Sequence, residues 1–210
     1  MKQAPLTARA LSDEHGLAPA AVERLEVLVD LLVRWQRRIN LVSRASLADP
    51  WRRHVLDSAQ LHAHLPPAAR TLIDLGSGAG FPGLVLAILG GPRVHLVESN
   101  QRKCAFLGEA NRLTEAGAVI HHARIESLDG LRADVVTARA CARLDRLLAL
   151  AQPLVKTHAR CLFLKGRTVE EELTESQKIW TMAASRIKSA SHPSGVILIV
   201  EDISRRDGNR

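Results

Sequence analysis

Two periodicities divide the chain. Up to about Leu65, apolar residues recur at helical spacing. Val22, Leu25, Val29, Leu32 and Gln36 fall on one line, with Leu28, Trp35 and Ile39 beside it, and this wide stripe predicts a core-facing helix opened by Pro19. Asp49-Pro50 predicts a second helix, with the carboxylate capping free amides and proline filling the first turn. That helix carries Trp51, Val55, Leu56 and Ala59 inward until Pro66-Pro67 ends it. From Thr71 onward, short apolar runs alternate with helical stretches, the pattern of βαβ units on a parallel sheet. Strands are expected near Thr71–Leu75, Val94–Glu98, Val119–His121, Asp134–Thr137, Arg160–Lys165 and Val196–Glu201. Helices are expected near Pro82–Leu89, Arg102–Leu113, Leu144–Ala151 and Val169–Lys178. The predicted fold is α/β: a doubly wound, mostly parallel core over residues 67–210, with a helical extension over residues 1–66 packed on it as part of one domain.

Composition narrows the class. A chain of 210 residues accommodates one ordinary domain with an added element. Hydrophobic residues at 46% and charged residues at 24% exclude a disordered or fibrous chain. Cys104, Cys141 and Cys161 form no C-x-x-C pair and no disulfide framework, which suits a reducing cytosol. The most apolar run, Leu84–Leu89, is far short of the roughly 20 residues a membrane span needs, and Met1–Ala10 lacks the pattern of a signal peptide. His121 and His122, adjacent on a strand, point to opposite faces and do not suggest a zinc site. A cytoplasmic monomer is therefore expected, with no membrane and no metal.

Charge changes the picture. The formal net charge is +7, and arginine supplies nearly all the positive charge of the first half. Guanidinium forks suit phosphate, so a polyanionic partner is expected. Between Arg34 and Arg53 lie six arginines and one acid, Asp49. Arg37, Arg38 and Arg53 are the candidate RNA contacts.

The chemistry gathers at one loop. Asp74-Leu75-Gly76-Ser77-Gly78-Ala79-Gly80 follows the first strand and opens a helix, at the carboxyl end of a strand beside the sheet's switch point. Gly78 to Gly83 also fits the G-x-G-x-x-G of nicotinamide enzymes. Pyrophosphate, however, needs free amides at the helix start, and Pro82 removes one. S-adenosylmethionine (SAM) carries a sulfonium and an amino group instead, which makes an acid ahead of the glycines useful, and Asp74 is that acid. Glu98, at the end of the second strand, stands where a carboxylate accepts both ribose hydroxyls. After the third strand, Ala123–Glu126 is placed to line the adenine through Ile125. These residues favour a Rossmann-like, SAM-dependent methyltransferase over an oxidoreductase.

The acceptor is narrowed by what is missing. After the fourth strand the chain reads Thr137-Ala138-Arg139-Ala140, without the Asn/Asp-Pro-Pro-aromatic loop that positions an exocyclic amine. Cys141 lacks the proline that precedes the thiol nucleophile of pyrimidine C5 transfer. A ring nitrogen with a free lone pair, such as guanine N7, needs neither device, since orientation alone accelerates its attack. Small-molecule and protein methyltransferases are equally sparse, and a non-catalytic RNA-binding assembly factor is a further alternative.

The chain resembles the bacterial ribosomal RNA small-subunit methyltransferase G family, also called glucose-inhibited division protein B. The likeness rests on Asn40-Leu41, Arg53-His54-Val55-Leu56-Asp57-Ser58, the glycine loop continued by Phe81-Pro82-Gly83, Glu98-Ser99 with Arg102-Lys103, Arg124-Ile125-Glu126, Asp134–Ala140 and Leu164-Lys165-Gly166. It runs from about Leu31 to Leu173. Gln36 stands where the family often has asparagine, and the tail after Trp180 departs from the pattern. The resemblance implies a cytoplasmic enzyme that makes 7-methylguanosine in 16S ribosomal RNA, acting on the RNA or the small ribosomal subunit. It implies SAM contacts at Gly76, Phe81, Ile125, Glu126 and Arg139; the glycine loop adds Asp74, Gly78 and Glu98. Arg139 and Lys165 are the positioning candidates, with no catalytic base assigned. His54, Asp57 and Ser58 lack a nucleophile elbow and read as structural or as part of a cofactor lid.

Overall fold

Alternate side chains of each central strand enter opposite layers, as the period of two requires. In the computed structural model, which describes residues 4–206, strand β1 (Thr71–Leu75) sends Leu72 to one side and Ile73 and Leu75 to the other. β2 (Arg93–Glu98) divides Val94 and Leu96 from Val97 in the same way. The first layer is closed by α2 (Pro19–Gln36), α5 (Gly83–Ile88) and α6 (Gln101–Leu113), the second by α7 (Leu144–Ala151) and α8 (Val169–Ser176). Residues 1–3 and 207–210, the outer ends of the two expected regions, lie outside the described residues.

Among the described residues the sheet has seven strands in the order β3-β2-β1-β4-β5-β7-β6, completed by β3 (Val119–His122), β4 (Ala133–Arg139), β5 (Val155–Lys165), β6 (Trp180–Lys188) and β7 (Val196–Arg205). β1 to β5 run parallel, whereas β7 is antiparallel to β5 and β6 antiparallel to β7. This departs from the 3-2-1-4-5-6 order of dinucleotide-binding folds. The order reverses between β1 and β4, so a crevice opens outside their carboxyl ends, where Gly76 and Ala140 begin the next loops.

Six strands and the later helices agree with the sequence reading to within a few residues, except that β5 begins five residues earlier and β7 runs four longer. β6 was not expected. It is an edge strand whose residues are mostly exposed, so it carries no alternating signal, and Arg186 and Lys188 suit such an edge.

Of the N-terminal helices, the one opened by Pro19 is built as read, while α1 (Ala8–His15) and α3 (Arg44–Leu47) are additional to the sequence reading. α1 is capped by Thr7 and stopped by Gly16 in the left-handed region. In α2, Leu25, Leu28, Val29, Leu31 and Leu32 are buried, and the Trp35 indole donates to Glu109 of α6 at 3.1 Å. Asp49 caps as predicted, accepting from the Arg52 amide at 3.3 Å, and it also holds the Leu6 amide at 3.0 Å. The second helix itself is broken. A short α3 (Arg44–Leu47) precedes it, Trp51–Leu56 is one wide π-helical stretch, α4 is Asp57–Ala59, and a 3-10 turn runs from Gln60 to His64. π-helical turns are rare and gather at functional sites.

Candidate active site

Outside the carboxyl ends of β1 and β4 lies a cavity of about 970 Å³. Its floor is Gly76–Ala79 and Phe81, and one wall is the loop from Arg139 to Arg143. A second wall comes from the extension, through Asn40–Ser43, Arg53, His54 and Asp57.

Buried side chains knit the loop to the sheet. Ser77 donates its hydroxyl to the Asp74 carbonyl at 2.9 Å and accepts from the Val97 amide at 3.1 Å, fixing the turn to β1 and β2. Asp74 is fully buried; its carboxylate accepts from Thr137 at 2.8 Å and from the Gly83 amide at 3.3 Å. It therefore lies beneath the loop and does not line the cavity, contrary to the expectation that it faces the ligand. Burial pushes its pKa up to about 6 against those hydrogen bonds. Gly83 must be glycine, because a Cβ there would come within 2.4 Å of Leu96 and 2.8 Å of the Asp74 carboxylate. Gly76 has φ +64° and would press a Cβ to 2.8 Å from the Cys141 sulfur.

Glu98 ties the same loop from β2. One carboxylate oxygen accepts from Gly78 at 3.0 Å, the other from Asn100 at 2.8 Å. Glu98 is itself buried, 7% exposed, and is not among the cavity's lining residues; it sits behind Gly78, each oxygen with acceptor capacity left over. Ile125 and Glu126 form a 3-10 turn after β3 and are not among the cavity's lining residues; Ile125 is half-buried, and Glu126 is exposed and paired with Arg146.

Arg139 lines the cavity, its side chain 18% exposed. It donates to the Arg53 carbonyl at 3.0 Å, approaches Asp57 at 3.5 Å and lies over the Phe81 ring, 5.2 Å from its centroid. His54 stacks on the same ring at 5.0 Å. At Ala140 the chain turns through φ +51°, a strained conformation of the kind found at ligand clamps. Lys165, the other positioning candidate, is 8% exposed and paired with the equally buried Glu172; it also donates to the Ala142 carbonyl at 3.1 Å. Its ammonium therefore clamps the post-β4 loop to β5 and α8. Burial pushes the Glu172 carboxyl up, but hydrogen bonds from Lys165 and Thr168 outweigh it and hold the pKa below its usual value.

Two features escaped the sequence reading. The turn between β6 and β7 reaches the cavity through Ser191, His192, Ser194 and Gly195, so the divergent tail contributes a wall. Asp57 anchors that turn, accepting from the Ser189 and Ser191 hydroxyls, while Gln60 accepts from the Ala190 amide at 2.9 Å. The basic candidates separate. Arg37 and Arg38 are exposed and, with Arg34 and Trp35, line a second cavity of about 360 Å³, whereas Arg53 lies at the main one. Arg52 is paired with Asp49.

The buried titratable groups predict a pH dependence. Burial, reinforced by Arg139 and Arg53, lowers the His54 pKa from 6.5 to about 3. The neutral ring's contribution is thus intact above pH 6.5 and is lost as pH falls toward 3. Asp74 acts in the opposite sense: its raised pKa adds stability below 3.8, lost as pH rises through about 6. His54→Phe leaves only the second effect. The variant is expected to gain on the wild type by about 1.4 kcal/mol per pH unit between pH 6 and 4. Denaturant melts at those two pH values that shift in parallel would refute the assignment.

Residues 21–196 match the GidB family model, described as rRNA small subunit methyltransferase G. The chain is 54% identical over 200 residues to the ribosomal RNA small subunit methyltransferase G of Rhodospirillum rubrum, covering 95% of this chain and 100% of that protein. It is 53% identical over 195 residues to its counterpart in Paramagnetospirillum magneticum, covering 93% and 95%. Among solved structures, an O-methyltransferase from Bacillus cereus in complex with SAH aligns at a TM-score of 0.58 and 12% identity, covering 93% of this chain and 96% of that one. M. jannaschii TYW2 in complex with AdoMet aligns at 0.52 and 14% identity, covering 71% and 77%. At such identities the structural likeness is one of fold. No described helix is long and apolar enough to cross a membrane.

Proposed function

The chain belongs to the rRNA small subunit methyltransferase G family, and from that premise we propose that it transfers the methyl group of SAM to N7 of a guanine in 16S ribosomal RNA. The observation that carries this reading is the glycine loop held over the β1/β4 crevice by Glu98, facing a wall from the arginine-rich extension.

The residues present fit the cofactor. Gly76 offers bare backbone to the cavity beside Cys141, and Glu98 retains acceptor capacity for ribose hydroxyls. Gly76, Gly78, Phe81, Glu98 and Arg139 would hold it, with Ile125 and Glu126 toward the adenine and Asp74 acting through the loop. When bound, SAM supplies a methyl group activated on a sulfonium.

The chain's own contribution is orientation. Guanine N7 already has the attacking lone pair, so no side chain need remove a proton beforehand, and alignment lowers the barrier. Cys141 does not provide a thiolate: burial, then the Asp74, Glu98 and Glu126 charges, push its pKa up. Lys165 has its ammonium engaged with Glu172. Arg139, braced by the Arg53 carbonyl and Asp57, fixes the wall against which ligand and base meet. The enzyme acts in the cytoplasm as a monomer without a metal ion.

Mapping 7-methylguanosine in 16S RNA from cells with and without the gene tests the reading. The modification is expected to vanish without the gene; an unchanged map refutes the assignment. Arg37 and Arg38 serve RNA phosphates outside the main cavity. Replacing both with alanine is expected to weaken RNA binding and to flatten the dependence of log K on log salt by about 1–2 units, leaving SAM affinity intact. An unaltered slope in a salt titration removes them from the RNA path.

A further inference from the structure

The β6–β7 turn carries a cavity-lining side chain to which the methyl-transfer scheme gives no task. His192 is half-buried there, beside Ser191 and Ser194. Its tautomer is fixed from within the turn. The Ser194 amide, which can only donate, reaches Nδ1 at 3.2 Å, and the Ser194 hydroxyl lies 2.9 Å from the same nitrogen. Nδ1 is therefore the acceptor, and Nε2 carries the ring proton. Among the described residues no group accepts from Nε2, and it is not one of their buried unpaired atoms, His54 Nδ1 and Ser176 Oγ; its N–H thus keeps open surface on a residue of the cavity wall. The turn holds this donor in place. The Ser189 amide donates to the Gly195 carbonyl and the Gly195 amide to the His192 carbonyl, each at 2.9 Å, while Asp57 and Gln60 pin the turn to the extension. Position decides what the donor meets. Val196, which opens β7, pairs with Lys165 at the carboxyl end of β5, so the turn stands at the edge of the sheet where the cavity opens. Glu98, the proposed ribose acceptor, ends β2, and β1, β4 and β5 lie between. Strands so placed are about 19 Å apart, which puts His192 on the methyl acceptor's side of the cavity and away from the cofactor's sugar.

We propose that Nε2–H of His192 donates to O6 of the target guanine and so selects the base. The proposal rests on the methyl-transfer reading of the same cavity. Guanine shows two acceptors on the edge to be methylated, N7 and O6, whereas adenine shows N7 beside the N6 amino donor. A ring whose tautomer the Ser194 amide has fixed offers a donor that matches the first edge and opposes the second.

Affinity for 16S ribosomal RNA, measured with S-adenosylhomocysteine bound, tests it on RNA carrying either guanine or 2-aminopurine, which lacks O6, at the position that the 7-methylguanosine map identifies. His192→Asn keeps an acceptor for the Ser194 amide near the place of Nδ1 and loses the donor. His192→Gln puts an amide N–H near the place of Nε2 and loses that acceptor. On guanine RNA the affinity is expected to fall about tenfold in the first variant and to recover in the second. On 2-aminopurine RNA the three proteins are expected to bind alike. A His192→Asn protein that binds guanine RNA like the wild type would leave the ring only a structural part in the turn, and a loss that persists on 2-aminopurine RNA would put the contact on phosphate or sugar; either result overturns the proposal alone. A wild-type protein that binds neither S-adenosylhomocysteine nor the RNA overturns the methyl-transfer reading and the proposal with it.

Discussion

Glu172→Leu is expected to destabilise the protein by about 3–5 kcal/mol, the typical result of stripping a buried charge of its partner. Lys165 would be left with its ammonium buried and opposed only by the Ala142 carbonyl. The Leu144 amide, which donates to Glu172 at 2.8 Å, and the Thr168 hydroxyl, at 2.7 Å, would lose their acceptor as well. For a chain of this length the melting temperature should fall by about 6–20 °C. Adding Lys165→Met removes the stranded charge, and the double variant is expected to recover most of the loss, because apolar replacement of a whole buried pair is often neutral or better. That recovery separates a clamp from a catalyst: the double variant should fold with its cofactor affinity nearly intact. A Glu172→Leu protein that melts with the wild type would show that the pair does not hold the post-β4 loop.

Glu98→Ala carries the largest expected effect on binding. It removes the acceptor for the Gly78 and Asn100 amides and for the ribose together. Two charge-assisted hydrogen bonds of about 1.5 kcal/mol each correspond to roughly a hundredfold loss of SAM affinity. The fold should suffer less, since Ser77 still pins the loop to β2 from the other side. Glu98→Gln keeps an acceptor and should fall between the two. Calorimetry with S-adenosylhomocysteine measures all three proteins, and equal affinities would detach Glu98 from the cofactor.

Particular residues show how far the sequence reaches. The stripe Leu25–Val29–Leu32 and the glycine loop announce their elements because local periodicity and local geometry create them. Asp74 reads as a ligand contact, since its place ahead of the glycines says nothing about which way its carboxylate points; Thr137, distant in sequence, and the Gly83 amide at the far end of the loop turn it inward. Lys165 reads as a site cation for the same reason, with Glu172 supplying the counter-charge from α8. β6 is invisible because an exposed edge strand needs no apolar alternation, and without β6 the turn that brings Ser191 and His192 to the cavity has no predicted position. Arg53 and His54 are legible as types, but the π-helical stretch that presents them is not. Local signals thus locate the cofactor loop, while the walls of the cavity come from long-range pairing.

If the hollow above β1 and β4 receives SAM, a crystal structure of the protein grown with S-adenosylhomocysteine will show the ribose on Glu98 and the amino-acid tail between Gly76 and Arg139. Nucleoside density elsewhere, or a pyrophosphate group seated on the Gly78–Gly83 turn in crystals grown with NAD, would contradict it.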